Sequence, residues 1–131
     1  MVGKLNYLEK GSRPDIAYAV HQCARFSSNP RESHGEAVRN IVKYLNGTRD
    51  RGIILNPKLD KSFEVYVDAS FSGEWNKDSA ENDASTAKSR SGYVISLHGC
   101  PIIWHSKLQT QVALSTTEAE YIALSQSLRD T

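Results

Sequence analysis

At 131 residues the chain has the length of one ordinary domain or of pieces of two, with enough material for a real core. Its formal charge of +1 does not by itself announce a nucleic-acid binder, and its two cysteines, with no CxxC, exclude a cysteine-based zinc site and a disulfide framework. The N-terminus lacks the apolar stretch of a signal peptide and no run approaches membrane-spanning length, so a cytoplasmic or nuclear protein is expected. Charge is unevenly spread. Residues 1–60 carry ten Lys/Arg and six Asp/Glu, whereas residues 61–131 carry six and nine, so a basic excess precedes an acidic one. Such a basic stretch reads equally as a solvated face.

In chain order, Met1 to Glu9 can add a helical turn or two. A first clear helix opens at Ser12-Arg13-Pro14-Asp15, since Pro costs no needed backbone bond in a first turn and Asp there complements the helix dipole. Ile16, Ala19, Val20, Cys23 and Ala24 form its apolar stripe, which puts Cys23 in a core as a reduced thiol. A second helix is expected over about 31–46, with Val38, Ile41, Val42 and Leu45 inward and Gly47 as the stop. Arg31, Arg39 and Lys43 lie off that stripe, free for solvent or phosphate. Together the two make a helical hairpin whose stripes need a common partner.

Arg51-Gly52-Ile53-Ile54-Leu55 reads as a short strand closed by Asn56-Pro57, and the polar Lys58–Lys61 stretch as a module boundary, dividing 1–57 from 58–131. Phe63, Val65 and Val67 alternate with Glu64, Tyr66 and Asp68, a strand signature. Residues 72–91 form a polar loop. Residues 92–97 and 101–105 are two further strands, joined by a turn at His98-Gly99. A last helix begins near Thr116, where Ser115 and Glu118 have the spacing of a capping box. On its wheel Glu120 falls between Ala123 and Leu124, on the side completed by Tyr121 and Leu128. A carboxylate facing a core needs a partner or a metal.

Asp68 at a strand end and Glu120 in a helix are the candidate catalytic and metal-ligating pair. If the helix packs on the strand face bearing Glu64 and Tyr66, the two carboxylates meet there. Hard oxygen donors of this kind suit Mg²⁺, which relieves charge and activates water in phosphodiester hydrolysis. Many strands end in Asp, so the pair alone also fits an ordinary surface.

From Phe63 onward the chain resembles the ribonuclease H domain of copia-type LTR retrotransposons. The matching stretches are Tyr66–Ala69, Lys88–Tyr93, Trp104–Gln109 and Val112–Leu124. Ser12–Val20 and Ile41–Thr48 look like the end of the copia-type reverse transcriptase, its thumb and connection. The resemblance implies an α+β chain: a helical hairpin followed by an incomplete ribonuclease H-like fold of three antiparallel strands and the first helix. It implies cleavage of the RNA strand of an RNA–DNA hybrid with two Mg²⁺ ions (Mn²⁺ a possible substitute), within the remainder of a reverse transcriptase polyprotein. Asp68 corresponds to the family's first-strand Asp, and Ala119-Glu120-Tyr121 selects Glu120 over Glu118. Lys88, Arg90, Lys107 and Gln109 are candidates for hybrid contact, as are Arg39 and Lys43; Trp104 reads as core.

The chain departs from the family in having Asp68-Ala69-Ser70 where Asp-Ala-Asp is common, and in ending before a further catalytic Asp. Asp130 comes too soon to take that place. The 131-residue chain alone is therefore expected to be inactive, and the alternative to a fragment of a hybrid-degrading polyprotein is a non-catalytic transposon-derived remnant, at most a weak nucleic-acid binder. The missing strand is also expected to leave an apolar edge open at 63–67 and to lower solubility.

Overall fold

The computed structural model describes residues 1–73, 75–78 and 83–131, and forms two compact units, Met1–Ile54 and Leu55–Thr131. Part of the expected 72–91 loop, residues 74 and 79–82, lies outside the described residues. The coarse class is α+β: among the described residues there are four α-helices and a three-stranded antiparallel sheet.

The first unit holds α1 (Val2–Gly11), a 3₁₀ turn at Pro14–Ile16, α2 (Ala17–Ala24) and α3 (Glu32–Gly47). The apolar stripes behave as expected: Leu5, Ile16, Val20, Cys23 and Ile41 make the core, with Leu8, Ala19, Val38 and Leu45 packed against it. α1 is a complete helix rather than a turn or two, because Leu5 and Leu8 supply the common partner that the other stripes require. Val42 is exposed instead, so the inward stripe of α3 is narrower than its sequence suggests. Gly47 does not stop α3 by a left-handed turn. It is the last helical residue, and Thr48 caps it, its Oγ1 donating to the Tyr44 carbonyl at 2.8 Å. Burial pushes the Cys23 thiol up, the state of an unreactive core cysteine. The expected strand at 51–55 does not form. The segment is irregular and its Ile54 and Leu55 side chains are exposed. An apolar run without a neighbouring strand has nowhere to place its backbone hydrogen bonds.

Arg13 is the polar anchor of this unit and is 6% exposed. Its Nε and Nη2 donate to the two carboxylate oxygens of Asp15 at 2.9 and 2.7 Å, and Nη1 donates to the Thr48 carbonyl at 2.9 Å. The Tyr44 hydroxyl donates to the same carboxylate at 2.9 Å, so the turn before α2 is tied to the end of α3. Hydrogen bonding from Arg13, opposed by burial and helped by Tyr44, holds the Asp15 carboxyl down at about 2 against an ordinary 3.8. Because the folded-state value is the depressed one, the stabilisation is complete above the ordinary value and is lost as pH falls through about 2. Asp15 is partly exposed, so after solvent screening we expect about 1 kcal/mol, seen as a drop in wild-type stability between these pH values that Asp15→Asn flattens.

The second unit carries β1 (Phe63–Ser70), β2 (Arg90–Leu97), β3 (Cys100–Leu108) and α4 (Thr116–Ser127). The strands lie in the order β1-β2-β3, with Val67 opposite Tyr93, Asp68 opposite Gly92 and Ile95 opposite Ile103. β1 is therefore an edge strand among the described residues. His98 and Gly99 both have positive φ, 52° and 76°, the pairing a two-residue hairpin turn demands. A Cβ at residue 99 would stand 3.3 Å from Lys61 Cδ. Gly99→Ala is expected to cost about 1–2 kcal/mol in a urea titration, mostly from the left-handed backbone. The Lys58–Lys61 stretch docks on this turn, with the Lys58 N–H donating to the His98 carbonyl at 2.8 Å.

α4 packs on β1 and β2 through small residues, Ala119, Ala123 and Ser127, all fully buried. They meet the face of Ser91, Tyr93 and Ile95, hence of Val65, Val67 and Ala69, since cross-strand partners share a face. This corrects the sequence expectation twice. The helix covers the pleat opposite to Glu64 and Tyr66, and Tyr121, Leu124 and Leu128 point outward, Tyr121 being 67% exposed.

Candidate metal-binding cleft

Asp68 comes from β1 and Glu120 from the second turn of α4. The α4 start is fixed locally: Ser115 Oγ accepts the Glu118 N–H at 3.1 Å, and Glu118 Oε2 accepts the Leu114 N–H at 2.7 Å. The expected capping box is thus half formed, with Glu118 reaching one residue further back. Pleat alternation turns Asp68 to the uncovered face, yet β1 is at the edge, and an open cleft of about 320 Å³ runs beside it. Val67, Asp68, Thr117, Glu120, Tyr121 and Leu124 line that cleft, so the two carboxylates share one concavity. Both are exposed, so Glu120 is not the buried, core-facing acid that its wheel position implies. It needs no partner to tolerate its place.

Two carboxylates are hard oxygen donors, and Mg²⁺ is commonly held by one or two of them with water and substrate phosphate completing its shell. In kind and number the pair fits one such ion. Among the described residues, no group of three or more His, Cys, Asp or Glu side chains comes together for a metal.

The cation candidates separate. Arg39 and Lys43 are exposed on α3, Lys107 is exposed on β3, and Lys88 is half-buried ahead of β2. Arg90 is buried, and Gln109 is 1% exposed, so neither presents its side chain at the surface for a nucleic acid. Gln109 instead braces the unit: its Nε2 donates to Ser91 Oγ at 3.1 Å and to the Ala119 carbonyl at 2.8 Å. A polar residue type gave no sign of this role in the sequence. Trp104 is half-buried, and Asp130 accepts a hydrogen bond from the Tyr93 hydroxyl, a structural tie outside the carboxylate cleft. Among the described residues no helix is long and apolar enough to cross a membrane.

Comparison with known proteins gives the chain its relatives. It is 42% identical over 126 residues to the retrovirus-related Pol polyprotein from transposon TNT 1-94 of Nicotiana tabacum, covering 96% of this chain and 9% of that polyprotein. It is 40% identical over 121 residues to the corresponding polyprotein from transposon RE1 of Arabidopsis thaliana, covering 92% and 8%. The secreted RxLR effector protein 161 of Plasmopara viticola is 35% identical over 129 residues, covering 98% of this chain and 84% of that protein. Over nearly its whole length the chain is similar to a segment of the retrovirus-related Pol polyproteins of plant transposons, and it belongs to one family with the Plasmopara viticola protein. It spans less than a tenth of the length of the two plant polyproteins. No family model matches the chain, and no solved structure matches it.

Proposed function

We propose that Leu55–Thr131 is the first part of a ribonuclease H-like domain, contributing Asp68 and Glu120 to the cutting of the RNA strand of RNA–DNA hybrids, and that Met1–Ile54 is the end of the preceding reverse transcriptase. The observation that carries this reading is that two acids separated by 52 residues in the chain, 120 − 68, line one cleft. A hard dication there supplies charge relief at the scissile phosphate and an activated water. The chain's own part is to hold two carboxyl groups on a strand and a helix rather than on loops, and to leave the cleft open to a bulky substrate. Gln109 fixes the helix through Ala119, the residue before Glu120.

Since Mg²⁺ is shared between carboxylates and substrate phosphate, retention of a fluorescent hybrid on the chain is expected to rise with Mg²⁺. The rise is expected to vanish in Asp68→Asn and in Glu120→Gln. Hybrid affinity that is identical with and without Mg²⁺ overturns the proposal.

A second reading is a stand-alone, non-catalytic protein built from the same segment. The correspondence over 84% of the Plasmopara viticola effector favours it. Cutting of a labelled RNA strand by the chain, lost in Asp68→Asn, excludes this second reading.

A further inference from the structure

A second concavity, of about 250 Å³, lies between β3 and the C-terminal end of α4 and shares no residue with the Asp68–Glu120 cleft. Tyr93, His105, Lys107, Thr110, Arg129 and Asp130 line it. Its base is a rigid aromatic pair: the Tyr93 and His105 rings are stacked with centroids 5.0 Å apart and planes 8° from parallel. The one carboxylate, Asp130, is tied to that base by the Tyr93 hydroxyl. The two cations are not so tied. Arg129 makes one long contact through Nε, to the Ser125 carbonyl at 3.4 Å, and neither Arg129 nor Lys107 pairs with a carboxylate among the described residues.

We propose that this hollow binds a phosphate group. Two cations brought from positions 107 and 129 to one concavity repel each other, and an anion between them removes that repulsion. Arginine offers a fork of parallel donors that matches the oxygens of a phosphate, and lysine adds a point charge beside it. Thr110 adds a neutral donor at the rim. Asp130 lowers the local charge without cancelling it, because two cations line the hollow beside this one carboxylate. The phosphate comes either from solution or from a nucleic-acid backbone, and the pocket chemistry is the same for both. The inference stands apart from the metal cleft: the hollow binds phosphate whether or not Asp68 and Glu120 hold an ion.

Amide chemical shifts of the 131-residue chain, titrated with inorganic phosphate, test it. Saturable shifts are expected at Lys107, Thr110 and Arg129, with apparent affinity at least tenfold weaker in Lys107→Gln/Arg129→Gln and kept in Asp68→Asn. Lys107→Arg, which preserves charge, is expected to retain binding and serves as the folded control. A parallel titration of a short RNA–DNA hybrid against salt assigns the source. A salt slope shallower by about 1–2 in the double variant marks a backbone phosphate; an unchanged slope marks free phosphate. Shifts that do not saturate, or that are equal in the chain and the double variant, overturn the proposal.

Discussion

Gln109→Ala is expected to destabilise the Leu55–Thr131 unit by about 2–4 kcal/mol, among the largest single effects available in this chain. Two costs add. The first is the loss of two hydrogen bonds inside a closed environment, to Ser91 Oγ and to the Ala119 carbonyl, which leaves the buried Ser91 hydroxyl without its donor. The second is the cavity left by a long side chain between β2 and α4, whose neighbours Ala119 and Ala123 are too small to fill it. Gln109→Glu is expected to be worse than the alanine, because a carboxylate has no donor to offer the Ala119 carbonyl. Lys107→Ala, two residues away and exposed, is expected to change stability by less than about 0.5 kcal/mol. Urea unfolding followed by tryptophan emission checks all three, since Trp75 and Trp104 both lie in this unit. Equal midpoints for Gln109→Ala and Lys107→Ala would remove Gln109 from the framework of the cleft.

Arg13→Ala is expected to cost the Met1–Ile54 unit about 2–3 kcal/mol, because it strips a nearly buried guanidinium from Asp15 and from Thr48 together. Arg13→Lys is expected to recover less than half of that loss. An ammonium cannot hold both carboxylate oxygens and the Thr48 carbonyl in one plane. The effect of Arg13→Ala is expected to shrink as pH falls through about 2, where the Asp15 carboxyl of the wild-type chain takes up its proton. Far-UV ellipticity is the readout, because α1, α2 and α3 lie in this unit. A loss that is independent of pH would assign the role of Arg13 to its packing and its Thr48 hydrogen bonds, with no contribution from the Asp15 pair.

Much of the local structure is legible in the residues because it rests on periodicity and turn chemistry. The alternation from Phe63 to Asp68, the His98-Gly99 turn and the stripes around Val20 and Ile41 each have one physical reading, and the chain follows it. The face of α4 was not legible in that way. Its buried side consists of Ala119, Ala123 and Ser127, which are selected for size so that the helix can approach the sheet, while the large apolar Tyr121, Leu124 and Leu128 stay outside. A wheel weighted by hydrophobicity points to the wrong side. The 51–55 run failed for a different reason: β-propensity names a segment but supplies no neighbour to pair with. Gln109 and Arg13 read as surface residues by type, and only tertiary context makes them buried braces. Glu120 is exposed, so a need to compensate a buried charge does not single it out; what sets it beside Asp68 is the cleft that both line.

Titration of the 131-residue chain with Mn²⁺, read as paramagnetic broadening of amide signals, shows whether Asp68 and Glu120 act as one cation site. Residues 67–69 and 119–121 are expected to broaden together at the lowest Mn²⁺ additions, and either Asp68→Asn or Glu120→Gln is expected to abolish the effect at both. Broadening that appears first elsewhere, or that persists around Asp68 when Glu120 is replaced, would contradict a single shared site.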